Sequence, residues 1–225
     1  MWWDCPLNEI RQDPSIGFEL YDDFSQYTTV HAGLTSTLVG GGAAVVLTGQ
    51  HGGLLELDPT ADDNDEAYVG STYTIVVPTG AREIWFECSA KFTEASTSAA
   101  NVMVGLSSTY ATGALQAAGA GPPANYSGSV LYKVDGGTTW NYEVSNAASQ
   151  TTCADIATRT SGSFTRLGFK LTGLSLGTAF INGVAVASAA SNIPTSAMGL
   201  FFGVRNGAAA NEKLYIDWYR LVGLR

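Results

Sequence analysis

The residues that could do chemistry are few, and most are acidic. Glu56 and Asp58 stand two apart in LLELDPTA, so an extended chain puts both carboxylates on one face. Two carboxylates about 5 Å apart are what retaining glycoside hydrolysis requires. The pattern that supplies them, Glu-x-Asp-x-x-Glu, is incomplete in Glu56-Leu57-Asp58-Pro59-Thr60-Ala61. The second glutamate is missing, and Pro59 interrupts strand pairing. The run Asp58, Asp62, Asp63, Asp65, Glu66 offers several oxygens within one loop. Calcium takes about six to eight, and Asp62, Asp63 and Asp65 are the first candidates to hold it. The EF-hand order is absent, however, and aspartates in a solvated turn also cap their own backbone amides. His31 and His51 lie near glycines with no readable Tyr and Arg partners, and no Gly-x-Ser-x-Gly elbow presents a serine nucleophile. No catalytic residue and no cofactor is therefore expected. Trp85, Trp140 and Tyr142 are rings that could stack on a sugar, although the inner faces of two packed sheets also need aromatics.

The elements that must position these residues are strands. Residues 1–16 contain Pro6 and Pro14 and no sustained period, which predicts an extended N-terminal arm; residues 17–225 form the domain. Short apolar or β-branched runs at 18–21, 34–39, 43–47, 54–57 and 72–77 are separated by glycine-rich turns. The clearest strand is 83–93, where Ile84, Phe86, Cys88, Ala90 and Phe92 alternate with Trp85, Glu87, Ser89 and Lys91. A strand at 102–106 precedes a loop over 107–127 that has neither period nor charge, with at most one helical turn at 114–118. Asp135-Gly136-Gly137 joins strands at 130–134 and 140–144 as a hairpin. Asn182-Gly183 joins 178–181 to 184–187, because it supplies both positive-φ positions of a type I′ turn. Strands at 166–171, 199–204 and 214–222 complete an all-β domain, a two-sheet antiparallel sandwich.

Composition narrows the partners. Charged residues make up 14% of the chain and the formal net charge is −9, with eleven scattered cations. Nucleic-acid affinity rests on clustered Lys and Arg, so no nucleic acid is expected, nor an anionic membrane. No apolar run approaches a membrane span of ~18 residues. The three cysteines, Cys5, Cys88 and Cys153, are an odd and widely spaced set that fits synthesis in a reducing cytoplasm, and the N-terminus lacks the features of a signal peptide. A weakly charged surface rich in small residues suits a protein that lives inside an assembly. The N-terminus, MWWDCPLNEI, is aromatic where chain ends are usually polar. Trp2, Trp3, Pro6 and Leu7 are expected to dock on a partner subunit, or else on the chain's own sandwich.

The ending LYIDWYRLVG resembles the last strand of concanavalin A-like and laminin-G-like jelly rolls, FELYDDF their opening strand, and GTAFINGVAVAS their hairpin. The resemblance covers about residues 17–223 and implies that the last strand returns beside the first. The succession GGLLELDPTADDNDEAYVG, EIWFECSAKFT, NVMVGLSS, VLYKVDGGTTW resembles structural proteins of tailed bacteriophages. That likeness implies a non-enzymatic capsid decoration or cement protein on the virion surface, made in the host cytoplasm. Such a protein would bind the major capsid protein, bridge capsomers and self-associate, most often as a homotrimer at a symmetry axis. Two alternatives stay open: a fibre or tail module that binds host glycans, and a polysaccharide-degrading enzyme, since the same sandwich hosts glucanases and lyases.

Overall fold

A computed structural model of the chain describes residues 2–25, 33–47, 49, 51–96 and 98–225. Among these residues fifteen strands form two antiparallel sheets. The eight-stranded sheet holds β1 (Gly17–Asp22), β3 (Ala43–Val46), β4 (Leu55–Asp58), β6 (Glu83–Thr93), β11 (Thr165–Thr172), β12 (Leu176–Ile181), β13 (Val184–Ala189) and β15 (Lys213–Leu224). Its order is β13-β12-β11-β6-β15-β4-β3, with β1 also paired to β15. The seven-stranded sheet holds β2 (Leu34–Val39), β5 (Glu66–Ser71), β7 (Ala100–Ser107), β8 (Gly128–Lys133), β9 (Thr139–Asn146), β10 (Ser149–Thr158) and β14 (Gly199–Asn206). Its order is β10-β9-β8-β7-β14-β5-β2. This is the expected jelly-roll sandwich, and the last strand does return beside the first.

The core lies between the sheets. Phe86, Cys88, Ala90 and Phe92 of β6 face Leu131, Trp140, Tyr142 and Phe202 of the opposite sheet. Phe86 stacks on Phe169 with ring centres 5.2 Å apart, and Phe92 meets Trp140 edge-on at 5.7 Å. The alternation read along 83–93 therefore has its apolar set inward. Strand β15 serves two partners along one edge. Leu214 to Ile216 pair with β4, and Tyr219 to Leu224 pair with β1. Its register against β6 slips between Ile216 and Trp218, a β-bulge at Asp217. Such a bulge shifts the alternation by one residue. Ile216 and Tyr219 thus both point into the core, while Trp218 and Arg220 point outward.

One expectation along the chain gives way, and two strands, β5 and β10, have no counterpart among the strands expected from sequence. Residues 72–77 are not a strand; only Val76 bridges to Met198, and the strand is the preceding β5. Its Ala67 and Val69 enter the core, and it pairs with both β2 and β14. Strand β10 carries no apolar alternation because it is a mostly exposed edge, held by pairing to β9. Residues 108–127 are a loop without a helix, as expected.

The N-terminal arm is helical rather than extended. Trp2–Asp4 make a single 3-10 turn, and α1 spans Leu7–Gln12. It folds back on the outer face of the eight-stranded sheet, where Ile10, with Cys5 and Leu7, packs on Trp85 and Val222. The indole Nε1 of Trp85 donates to Asp4 at 3.2 Å, and Asp4 also pairs with Lys170. Arg11 grips both carboxylate oxygens of Glu19 on β1, at 2.7 and 2.8 Å. The alternative in which the arm docks on its own sandwich is thus what is seen for Leu7. Trp3 is different: it is 90% exposed.

Candidate functional site

Strand pairing sets outward-facing residues of the eight-stranded sheet in rows. Glu19, Val222, Trp85 and Lys170 form one row across β1, β15, β6 and β11. The leader covers it. Tyr21, Arg220, Glu87 and Gly168 form the next, followed by Trp218, Ser89 and Arg166. Among the described residues no segment covers these rows, and Tyr21, Glu87, Arg166, Trp218 and Arg220 line a pocket of about 300 Å3. Farther along the same face Lys91 lies over the rings of Tyr215 and Phe164, 4.4 and 5.0 Å from their centres.

The pocket is built from rings and fixed charges. Tyr21, half exposed, stacks on the Arg220 guanidinium, 5.1 Å from its ring centre. Arg220 Nε lies 3.2 Å from Glu19, the carboxylate that Arg11 already grips. Glu87 forms the floor, with 5% of its side chain exposed, and Arg166 reaches over it with Nη1 at 4.0 Å and half of its side chain in water. The β12–β13 turn holds Arg166 in place. Its backbone amide donates to Asn182 Oδ1 at 3.0 Å, and its carbonyl accepts from the Asn182 amide at 2.8 Å. Asn182 and Gly183 take φ of 52° and 83°, the left-handed pair a type I′ turn requires. A Cβ on Gly183 would come within 3.0 Å of the Arg166 guanidinium, so the bare glycine keeps that space open.

Among the described residues the outer face of the other sheet is largely filled. The loop over 108–127 lies on its outer face and buries Tyr68, Met103, Val130, Tyr132 and Phe201 with its own Ala114, Leu115 and Tyr126. The polar groups beneath it are already engaged. Glu66 accepts the Gly113 amide at 2.9 Å and Arg205 at 2.8 Å, and Arg205 also donates to the Leu115 carbonyl at 2.7 Å. Tyr126 donates its hydroxyl to Glu143 at 2.9 Å. Burial, with the Glu143 charge beside it, pushes the Tyr126 phenol well above its ordinary value.

The residues singled out from sequence fall elsewhere. Trp85 does lie on the outer face, but the leader seals it at 0% exposure. Trp140 and Tyr142 are buried between the sheets, the latter within 3.1 Å of the Ser129 hydroxyl. None of the three presents a ring to solvent, which corrects their assignment as a sugar platform. Glu56 and Asp58 do share a face of β4, but Lys213 sits between them at 3.3 and 2.7 Å. Despite partial burial, the bonds from Lys213 and the Thr60 amide hold Asp58 below its ordinary value. The acidic run does not converge on a cation site. Asp62 and Asp63 are exposed, whereas Asp65 is turned inward against Gly40 and accepts the Thr60 hydroxyl. Asn206 Nδ2 donates to the carbonyls of Thr60 and Asp62 at 3.0 and 2.9 Å, bracing the turn as a structural feature. Among the described residues no three metal-ligating side chains come together. His51 is exposed, and His31 lies outside the described residues.

The pocket itself was only half readable in advance. Alternation puts Glu87 outward, and Tyr21 and Arg166 sit on strands expected from sequence. Trp218 and Arg220 could not be placed, because nothing in LYIDWYRLVG announces the bulge that turns them outward.

The sequence matches no family model and no curated protein. Solved structures share the fold. The endo-β-1,4-glucuronan lyase of the fungus Trichoderma reesei is 10% identical with a TM-score of 0.63, covering 90% of this chain and 94% of the lyase. The metal-free carbohydrate recognition domain of Emp46p is 10% identical with a TM-score of 0.61, covering 91% and 95%. The endo-1,3-β-glucanase of Streptomyces sioyaensis is 12% identical with a TM-score of 0.59, covering 94% and 98%. The chain is therefore a lectin-like, concanavalin A-type jelly roll.

Proposed function

We propose that the protein is a non-enzymatic glycan-binding module of a virion surface, of fibre or tail type. One observation carries the binding reading: the pocket of Tyr21, Trp218, Glu87, Arg166 and Arg220 stands open on one sheet while the loop over 108–127 fills the face of the other. Rings beside fixed donors and acceptors are the chemistry of sugar sites. The pocket's lining holds a single carboxylate, so it lacks the carboxylate pair of glycoside hydrolysis, and we read it as a site that binds and orients. The virion setting rests on the likeness of GGLLELDPTADDNDEAYVG and the segments after it to phage structural proteins, and on the low charge of the chain. The test is a glycan screen with the purified protein and its Tyr21→Ala variant. Signals that the variant loses support the reading; a blank screen, or release of reducing ends from a polysaccharide, removes it.

A second reading is favoured by Trp3. This ring is 90% exposed on a leader whose Cys5, Leu7 and Ile10 pack on the sheet. In a capsid decoration protein it would insert into the major capsid protein, and a homotrimer would multiply one modest contact by effective concentration. Trp3→Ala should then reduce binding to empty shells without altering the folded monomer. Unchanged shell binding together with a monomeric mass in light scattering excludes it.

A further inference from the structure

We infer that the ligand of this pocket carries a carboxylate, as a uronic or sialic acid residue does; the inference rests on the glycan-binding reading. The first ground is charge. The chain has 11 cations against 20 acids, yet two arginines and one glutamate line the pocket. The chain is acidic overall, yet cations outnumber acids in the lining of this pocket, an arrangement that favours an anion there. The second ground is how the arginines are held. Arg220 shares Glu19 with Arg11, which already forks onto both of its oxygens. Arg166 touches Glu87 at only 4.0 Å, with half of its side chain in water. A guanidinium reaches full strength in a bidentate bond to a planar carboxylate, and Arg166 is placed to make one to an incoming group. The third ground is the shape of the remainder. Tyr21 and Trp218 supply flat faces for the C–H side of a pyranose, and Glu87 on the floor accepts from its hydroxyls. A volume of about 300 Å3 is at the low end for small-molecule clefts, room for a short stretch of sugar chain.

The full chain is titrated calorimetrically with trigalacturonate and with sialyllactose, each beside its carboxyl-reduced, neutral counterpart and a sulfated trisaccharide. Arg166→Gln and Tyr21→Ala are titrated in parallel, and thermal unfolding checks that both are folded. An acidic sugar should bind about tenfold or more tighter than its neutral form, and each variant should lose about tenfold. Arg166→Lys, which keeps the charge and loses the fork, should fall between. Whether the uronate or the sialoside binds identifies the source of the carboxylate. Equal binding of the neutral or sulfated sugars overturns the carboxylate inference while the glycan reading stands. Acid binding that neither variant weakens overturns the site. No binding by any sugar overturns both the inference and the glycan reading.

Discussion

The two sheets of this sandwich treat their outer faces differently. Each is overlaid by a stretch of its own chain, but the seven-stranded sheet is sealed and the eight-stranded sheet is only partly covered. The seal is an uncharged loop that inserts Leu115 and Ala114 among buried rings and ties its backbone to Glu66, Tyr68 and Arg205. The partial cover is a six-residue helix that places one fully buried residue, Ile10, on the sheet. Its remaining ties are ion pairs: Asp4 with Lys170, and Arg11 with Glu19. A face covered by apolar packing is committed to stability; a face crossed by a short charged strap leaves a ring-and-charge pocket uncovered among the described residues.

The contrast implies a graded series of effects. Phe201→Ala, beneath the loop, removes a fully buried ring and should cost about 3–5 kcal/mol in denaturant unfolding. A smaller loss would mean that the loop is not the seal described. Ile10→Ala, beneath the leader, should cost about 2 kcal/mol, because a short helix can settle toward the space left. It should also move Trp85 fluorescence toward the emission of a wetter indole; an unmoved spectrum would show that the rest of the leader suffices to cover it. Asp4→Asn should cost about 1 kcal/mol or less.

That last contribution depends on pH with a definite sign. Burial works to raise the Asp4 carboxyl, but bonds from Lys170 and Trp85 outweigh it and leave it below its ordinary 3.8. A depressed carboxylate stabilises the fold fully above the ordinary value and loses the effect as pH falls through the lowered one. The difference between wild type and Asp4→Asn should therefore begin to shrink as pH falls through 3.8 and vanish only in acid below the lowered value. A difference that persists there would assign the effect to packing. The smallest stability change belongs to the open rows: Tyr21→Ala should shift unfolding by no more than about 0.5 kcal/mol. A larger shift would place Tyr21 among the structural residues and narrow the distinction between the faces.

The legibility of the molecule follows the same division. Where the two faces of a strand differ in residue type, its period of two is visible: 83–93 comes out as read because polar Glu87, Ser89 and Lys91 alternate with the apolar inner set, although the outer face is mostly buried too. Where both faces are buried, as in β5, β7 and β8, the alternation disappears into runs such as Val102-Met103-Val104. Strands β7 and β8 stay legible as apolar runs, whereas β5, Glu66–Ser71, offers neither a long apolar run nor alternation. The rings proposed for sugar binding show the converse difficulty. Trp85, Trp140 and Tyr142 have the right chemistry, but a residue type does not say which face of a sheet it joins or what lies over it.

By itself the sequence determined the antiparallel sandwich, the hairpin turns, the uncharged long loop and the low surface charge, because backbone periodicity and turn chemistry act over a few neighbouring residues. Only the tertiary structure decided that the leader turns helical and straps Trp85, that the loop closes the seven-stranded sheet, and that Tyr21, Glu87, Arg166, Trp218 and Arg220 meet. Those outcomes depend on contacts between residues up to about two hundred positions apart, and on a one-residue bulge at Asp217 that falls where β15 passes from pairing with β4 to pairing with β1.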